Sequence, residues 1–206
     1  MPDSASVDPV MTGTPTLRSQ AKADRRAALL DAAATLFARS GFNGVAIEDL
    51  GAAVGVSGPA VYRHFSGKQA VLSALLVGVS EGLASGGRAV VDAADDDQAA
   101  LSALVRFHVD FALTHPDVIR VQDRDLETLA EPGRRQVRVL QRSYVELWVA
   151  VLARLNPDVP PQLLRVRAQA TFGLINSTPH SVPAVSSSLV RPLLQEMALA
   201  ALTPAL

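Results

Sequence analysis

The chain reads as all-α, with about nine helices, on three observations. Apolar residues recur at three-and-four spacing through long stretches, most clearly at Val137, Leu140, Tyr144, Leu147, Trp148, Val151, Leu152 and Leu155. Helix-ending residues fall where these stripes stop: Gly41, Gly55, His115–Pro116 and Asn156–Pro157. No segment alternates with a strand period, and no internal repeat stands out. At 206 residues and 49% hydrophobic, the chain is large and apolar enough for a substantial core. It contains no cysteine, which removes disulfides and thiolate metal sites.

Residues 1–18 lack a positive n-region and an apolar h-region, so they read as a disordered tail and not a secretory signal. The first helix is expected from about Ser19 to Arg39, with Leu29, Ala33, Leu36 and Phe37 on one stripe and Lys22, Arg25 and Arg26 opposite, a charged face taken as solvated by default. A second helix, Ala46 to Val54, carries Ile47, Leu50 and Val54 inward and stops at Gly55. Val56 plugs the angle to a third helix. Ser57 is expected to cap that helix, its hydroxyl reaching Ala60 because Pro59 has no N–H. Val61 and Phe65 then face inward, leaving Gly58, Pro59, Tyr62 and Arg63 outside.

Two short helices joined by a tight turn, with a sparse polar outer face, suit a DNA major groove. Arg63 has the planar fork that pairs with guanine O6 and N7, while Gly58 and Ala60 allow close backbone approach. Tyr62 and His64 reach phosphate, and Lys68 adds charge at a helix N-terminus. The net charge of −1 announces no nucleic acid globally. Between Arg18 and Leu75, however, seven Lys or Arg stand against four Asp or Glu.

The runs GFNGVAIEDLGAAVG and GVSGPAVYRHFSGKQAVL resemble the helix-turn-helix of tetracycline-repressor-like (TetR) transcriptional regulators, over roughly Asp24 to Leu76. The matching positions are Val56, Tyr62, His64, Phe65 and Lys68. The resemblance implies a three-helix DNA-binding domain at 19–66 and a helical effector-binding and dimerisation domain at 67–206. It implies DNA contacts from Ser57, Gly58, Pro59, Tyr62, Arg63, His64 and Lys68. One departure stands out: the family usually has Thr or Ser where this chain has Val45 and Ala46. Val45 is therefore read as a missing helix cap, with Glu48 in the acidic position of a capping box.

A fourth helix from Lys68 carries Val71, Leu72, Leu75, Leu76, Val79 and Leu83 inward, and Gly78, Gly82, Gly86 and Gly87 suggest bending. The apolar run Ala70 to Val79 is too short to span a bilayer, so no membrane partner is expected and the protein is placed in the cytoplasm. Asp95 to Asp97 cap a fifth helix, Gln98 to Thr114, burying Leu101, Leu104, Val105, His108 and Ala112. Val118 to Leu129 reads as irregular with only a short helix. Pro132 to Leu155, Pro161 to Thr178 and Leu189 to Leu202 complete the series. Stripes Leu164, Ala168, Phe172, Ile175 and Leu189, Leu193, Met197, Ala201 suggest self-association, and the resemblance implies a homodimer through the last two helices.

The candidate effector residues are His108, Phe111, Arg120, Arg124, Tyr144, Trp148, Phe172 and Asn176, with His180 as a further polar marker. Few charges lie on the inner faces, pointing to a largely apolar effector. His115 to Trp148 with GLINSTPHS also resembles an actinobacterial TetR branch with fatty acyl or acyl-CoA effectors. The expected regulator binds a double-stranded palindromic operator as a repressor and is released by its effector. No metal or other cofactor is expected. A DNA-binding protein without small-molecule control is the alternative. An enzyme is disfavoured, because Ser177 and His180 lack a nucleophile elbow and an acid, and the four histidines lack metal spacing.

Overall fold

A computed structural model describes residues 17–181 and 186–203. The described residues form ten α-helices and no strand. They are α1 (Leu17–Ser40), α2 (Ile47–Ala53), α3 (Gly58–Val61), α4 (Lys68–Asp92), α5 (Asp97–Thr114), α6 (Pro116–Asp125), α7 (Glu131–Leu155), α8 (Pro161–Asn176), α9 (Thr178–Ser181) and α10 (Ser187–Leu202), with a 3₁₀ turn at Leu126–Thr128. The expected tail largely lies outside the described residues, although Leu17 and Arg18 already belong to α1.

Two apolar cores organise the chain. The first joins Leu29, Ala33 and Phe37 of α1 to Ile47, Leu50, Val61 and Phe65 of the helix-turn-helix. It is completed from outside that unit by Val71, Leu72, Leu75 and Leu76 of α4, Val118 and Val121 of α6, Leu129 and Val137. The second core gathers α5, α7, α8 and α10 around Leu101, Leu104, Trp148, Leu152, Leu164, Ile175 and Leu202, each fully buried. Helix α4 packs against both α1 and the α5–α7 pair. This 25-residue helix contains an 18-residue window of mean hydropathy 1.4 and is long and apolar enough by composition to cross a membrane. Val71, Leu72, Leu75 and Leu76 of this helix are buried in the first core.

Helix ends follow local chemistry. Gly41 (φ 76°) and Gly55 (φ 70°) take the left-handed conformation expected of glycines that close α1 and α2. Asp96 caps α5, its carboxylate accepting from the Ala99 N–H at 2.7 Å. The cap of α2 departs from expectation by one residue. Ala46, not Val45, is the cap, with extended backbone (φ −92°, ψ 163°), and Asp49, not Glu48, accepts from the Ala46 N–H at 2.7 Å. Val45 is buried in the first core. Nor does the Ser57 hydroxyl cap α3; the Ala60 N–H bonds the Ser57 carbonyl at 2.9 Å.

Three further expectations change. The segment after His115 is a full ten-residue helix, because Pro116 at its start needs no acceptor and Val118, Ile119 and Val121 bury one side. Helix α8 ends at Asn176, and Pro179 lies within the separate turn α9, a tenth helix. On α8, Leu164, Ala168 and Ile175 enter the core; the exposed apolar line is Leu163 and Val166. On α10 the expected outward residues are outward: Leu189, Leu193 and Met197 are 69%, 54% and 45% exposed.

The α4 glycines also divide. A Cβ at Gly86 would lie 2.5 Å from Phe107 Cζ, and one at Gly87 2.5 Å from Tyr144 Cε2, so both are close-packing positions. Gly78 and Gly82 have open space around them.

Candidate functional site

The first candidate surface is the outer face of α3 and the turn after it. Tyr62 (55% exposed), Arg63 and Pro59 face solvent, as the sequence suggests. Gly58 does not. It is buried beside α2, where an added Cβ would stand 3.3 Å from Glu48 Oε1, the end of a flexible exposed side chain. Gly51 makes a second close approach that the sequence reading missed: its Cβ would lie 2.7 Å from the Val56 carbonyl oxygen. His64 is half-buried, and its Nδ1 is enclosed without a hydrogen-bond partner.

Lys68, the first residue of α4, donates to the Val45 carbonyl at 2.8 Å and stands 4.5 Å from the Phe42 ring centroid. It therefore ties the start of α4 to the turn before α2, a structural role added to its charge. Arg18, Lys22 and Arg25 of α1 line one groove with Arg63 and His64. From the sequence this basic turn can touch the DNA backbone, with a solvated charged face as the default. The sign that was available is the side-by-side run of cations at one end of α1, but its distance from Arg63 appears only in the fold. Arg25 also donates to the Val54 carbonyl at 3.2 Å, and Arg26 lies over Phe65 at 4.9 Å.

The second site is a cavity of about 230 Å³ lined by residues of α4 to α8. Ser80 and Leu83 of α4 form one wall, His108 and Phe111 of α5 another, and Val118, Ile119 and Gln122 come from α6. Gln141, Tyr144 and Val145 of α7 face Phe172 and Asn176 of α8. Five of the sequence candidates thus converge: His108, Phe111, Tyr144, Phe172 and Asn176. Trp148 sits fully buried behind them, edge-on to Phe172 at 4.8 Å and to Tyr144 at 6.1 Å. The glutamines, Ser80 and the aliphatic liners were not singled out, because uncharged residues on amphipathic helices carry no distinguishing signal.

Arg120 and Arg124 do not line the cavity. Arg120 donates to the Pro179 carbonyl at 2.6 Å and pairs with Asp117 at 3.0 Å, fastening α6 to α9. Arg124 donates to the carbonyls of Phe37 and Ala38 at the end of α1, and pairs with the buried Asp125. Asp125 accepts in turn from the Phe42 N–H at 3.5 Å. These residues satisfy a helix C-terminus, whose carbonyls lack intrahelical partners. His180, the other polar marker, is exposed on α9 outside the cavity lining.

Inside the cavity a polar chain runs across three helices. Tyr144 Oη lies 3.4 Å from His108 Nδ1, and His108 Nε2 lies 3.2 Å from Asn176 Oδ1. Burial lowers the His108 pKa to about 4, against a smaller opposing effect of the Asn176 hydrogen bond, so the imidazole is neutral. Burial likewise pushes the Tyr144 phenol well above its ordinary value. A neutral imidazole has one ring proton, so one nitrogen donates while the other accepts. Among the described residues no group of three or more His, Cys, Asp or Glu has the arrangement of a metal site.

Residues 29–75 match the family described as bacterial regulatory proteins, tetR family, and residues 94–180 match the tetracyclin repressor-like C-terminal domain. The chain is 32% identical over 143 residues to the HTH-type transcriptional repressor KstR2 of Rhodococcus jostii, covering 69% of this chain and 70% of that protein. Among solved structures, a TetR-family transcriptional regulator from Bordetella parapertussis superposes with a TM-score of 0.75 at 25% identity, over 84% of this chain and 93% of that one. The ketosteroid transcriptional regulator KstR2 of Mycobacterium tuberculosis gives 0.74 at 22% identity, over 88% and 96%. With an N-terminal helix-turn-helix, an all-helical body and these relatives, the chain belongs to the TetR family of transcriptional regulators.

Proposed function

We propose that the protein represses transcription from the cytoplasm as a homodimer on a palindromic operator, and that an apolar effector in the α4–α8 cavity releases it. One observation carries this reading. Helix α4 contributes Ser80 and Leu83 to the cavity wall, while its first residue, Lys68, grips the Val45 carbonyl beside the helix-turn-helix. A ligand that favours one position of α4 thereby favours one position of the head, and differential affinity for the two states is what regulation requires. Because the cavity shares α4 with the head, this reading is favoured over a DNA binder without small-molecule control.

In this proposal Arg63 reads base edges and Tyr62, Pro59 and Ser57 lie along the groove wall. His64, Lys68 and the cations Arg18, Lys22 and Arg25 engage the backbone. The exposed apolar lines Leu163–Val166 on α8 and Leu189–Leu193–Met197 on α10 would pair with their two-fold mates. Such a dimer sets two heads about one DNA turn apart, roughly 34–36 Å or a multiple.

Selection of bound duplexes from random DNA tests the reading. An inverted repeat is expected, and recovery of a single unrepeated half-site would refute the dimeric operator. For the cavity, Leu83→Trp and Val145→Phe fill space where the effector would sit. These variants should fold, remain dimeric and bind the selected duplex differently from the parent. Operator affinity unchanged in both would remove the link between cavity and head.

A further inference from the structure

We infer that the cavity takes an uncharged molecule with an apolar skeleton and one hydrogen-bond-accepting oxygen, such as a ketone or an ester, and excludes anionic groups from its interior. The inference rests on the reading of this cavity as the effector site. None of its lining residues is Lys, Arg, Asp or Glu. The two arginines the sequence suggested for the site are committed elsewhere, Arg120 to Asp117 and Pro179, Arg124 to Asp125 and the end of α1, and Arg106 and Arg142, beside lining residues in the chain, are exposed. A carboxylate inside would have no counter-charge, and an unpaired buried charge costs far more than a buried neutral carbonyl with a donor. The remaining way to supply a cation is to protonate His108, which its burial opposes.

The oxygen is called for by the Tyr144–His108–Asn176 chain. Its protons can run in two directions. With the Tyr144 hydroxyl donating to Nδ1, the Nε2–H donates to Asn176 Oδ1 and the Asn176 amide hydrogens are spare. In the reverse direction the Asn176 amide donates to Nε2, Nδ1–H donates to the Tyr144 oxygen, and the Tyr144 hydrogen is spare. Either way the chain ends on an unspent donor. Tyr144 and Asn176 both line the cavity, so that donor faces the ligand.

Trp148 is the chain's single tryptophan and packs on Tyr144 and Phe172, which gives the full-length dimer a built-in fluorescence probe of occupancy. The experiment titrates the protein at neutral pH with four series of graded chain length: 2-alkanones, methyl esters, fatty acid carboxylates and n-alkanes. Saturable changes in Trp148 emission are expected for ketones and esters, with carboxylates of equal length at least roughly tenfold weaker, given the cost of an unpaired charge. Alkanes should fall between or below. Replacing the whole chain, Tyr144→Phe with His108→Phe and Asn176→Leu, should erase the preference for ketone over alkane while leaving alkane binding intact, whereas His108→Phe alone leaves the Tyr144 and Asn176 donors facing the ligand and should keep it. Carboxylates binding as tightly as ketones would overturn the exclusion of charge, and ketones binding no better than alkanes to the parent protein would overturn the donor pole. If no series alters Trp148 emission or raises the melting temperature, the reading of the cavity as the effector site falls with it.

Discussion

Placing a serine at residue 46 and, separately, a threonine at residue 45 should move the stability of the DNA-binding head in opposite directions. At residue 46 the backbone is already extended, the side chain is exposed, and Asp49 already accepts from the residue's own N–H at 2.7 Å. Only the reciprocal half of a capping box is missing, an oxygen accepting from the free amides of Glu48 or Asp49. Ala46→Ser supplies it and should stabilise α2 by about 1 kcal/mol, within the roughly 0.5–2 kcal/mol span of such caps. Residue 45 is different. It is 3% exposed, packed in the first core, and its carbonyl is held by Lys68 at 2.8 Å. Val45→Thr keeps the shape but buries a hydroxyl, which without a partner costs about 1–3 kcal/mol. Hydrogen exchange at Glu48, Asp49 and Leu50, together with the urea midpoint of the full chain, measures both changes. Slower exchange in Val45→Thr with no effect of Ala46→Ser would refute the assignment of the cap to Ala46.

Other predictions follow from features of the body. Gly87→Ala should destabilise by about 1–3 kcal/mol through overpacking against Tyr144, whereas Gly82→Ala, in open space, should gain up to about 1 kcal/mol of helix propensity; thermal unfolding separates them. His108, with its pKa lowered to about 4 from 6.5, is neutral when folded while the unfolded chain takes up a proton. Its contribution is thus fully present above about pH 6.5 and is lost as pH falls towards 4; a displacement of that size corresponds to about 3 kcal/mol. His108→Phe should flatten this part of the stability-versus-pH curve, and an unchanged slope would count against the neutral imidazole. Arg124→Ala should destabilise by about 1–3 kcal/mol, because it strips donors from the end of α1 and leaves Asp125 buried without its cation. Denaturant unfolding checks this, with Arg124→Lys expected to recover only part of the loss. Arg63→Ala should relax preference at one or two base pairs at a cost of about 1–3 kcal/mol. Lys68→Ala should weaken all sequences alike and also destabilise the head.

How far the sequence reaches depends on whether a residue's role is local. Helices α1, α4, α5 and α7 are legible because each shows one clear apolar stripe, and the capping role of the Asp95–Asp97 patch because a cap acts within three residues, although only the structure singles out Asp96. Helix α6 was not, since Arg120, Asp123, Arg124 and Asp125 crowd a ten-residue helix whose apolar side is only Val118, Ile119 and Val121. Helix α8 is apolar on two sides, so periodicity alone could not tell the core line through Leu164 from the outer line through Leu163. In the cavity, the aromatic and histidine members were found because a polar group on an apolar stripe stands out. Arg124 was drawn to the site for the same reason and wrongly, since the carbonyls it serves lie 87 and 86 residues away in the chain. Gly58, on the outer face by spacing, is buried beside α2, because the turn before it folds back on that helix.

The first core is unusual in borrowing nearly half of its side chains from beyond the helix-turn-helix, from α4, α6, Leu129 and the start of α7. A fragment ending at Gly67 would expose Leu29, Phe37, Leu50 and Phe65 to water where Leu72, Leu76, Val121 and Val137 now cover them. The head should therefore melt together with the body in one cooperative transition. Anyone grafting this DNA specificity onto another sensor would need to transplant the covering residues as well, and the cleanest seam runs through side-chain contacts and not through any single peptide bond.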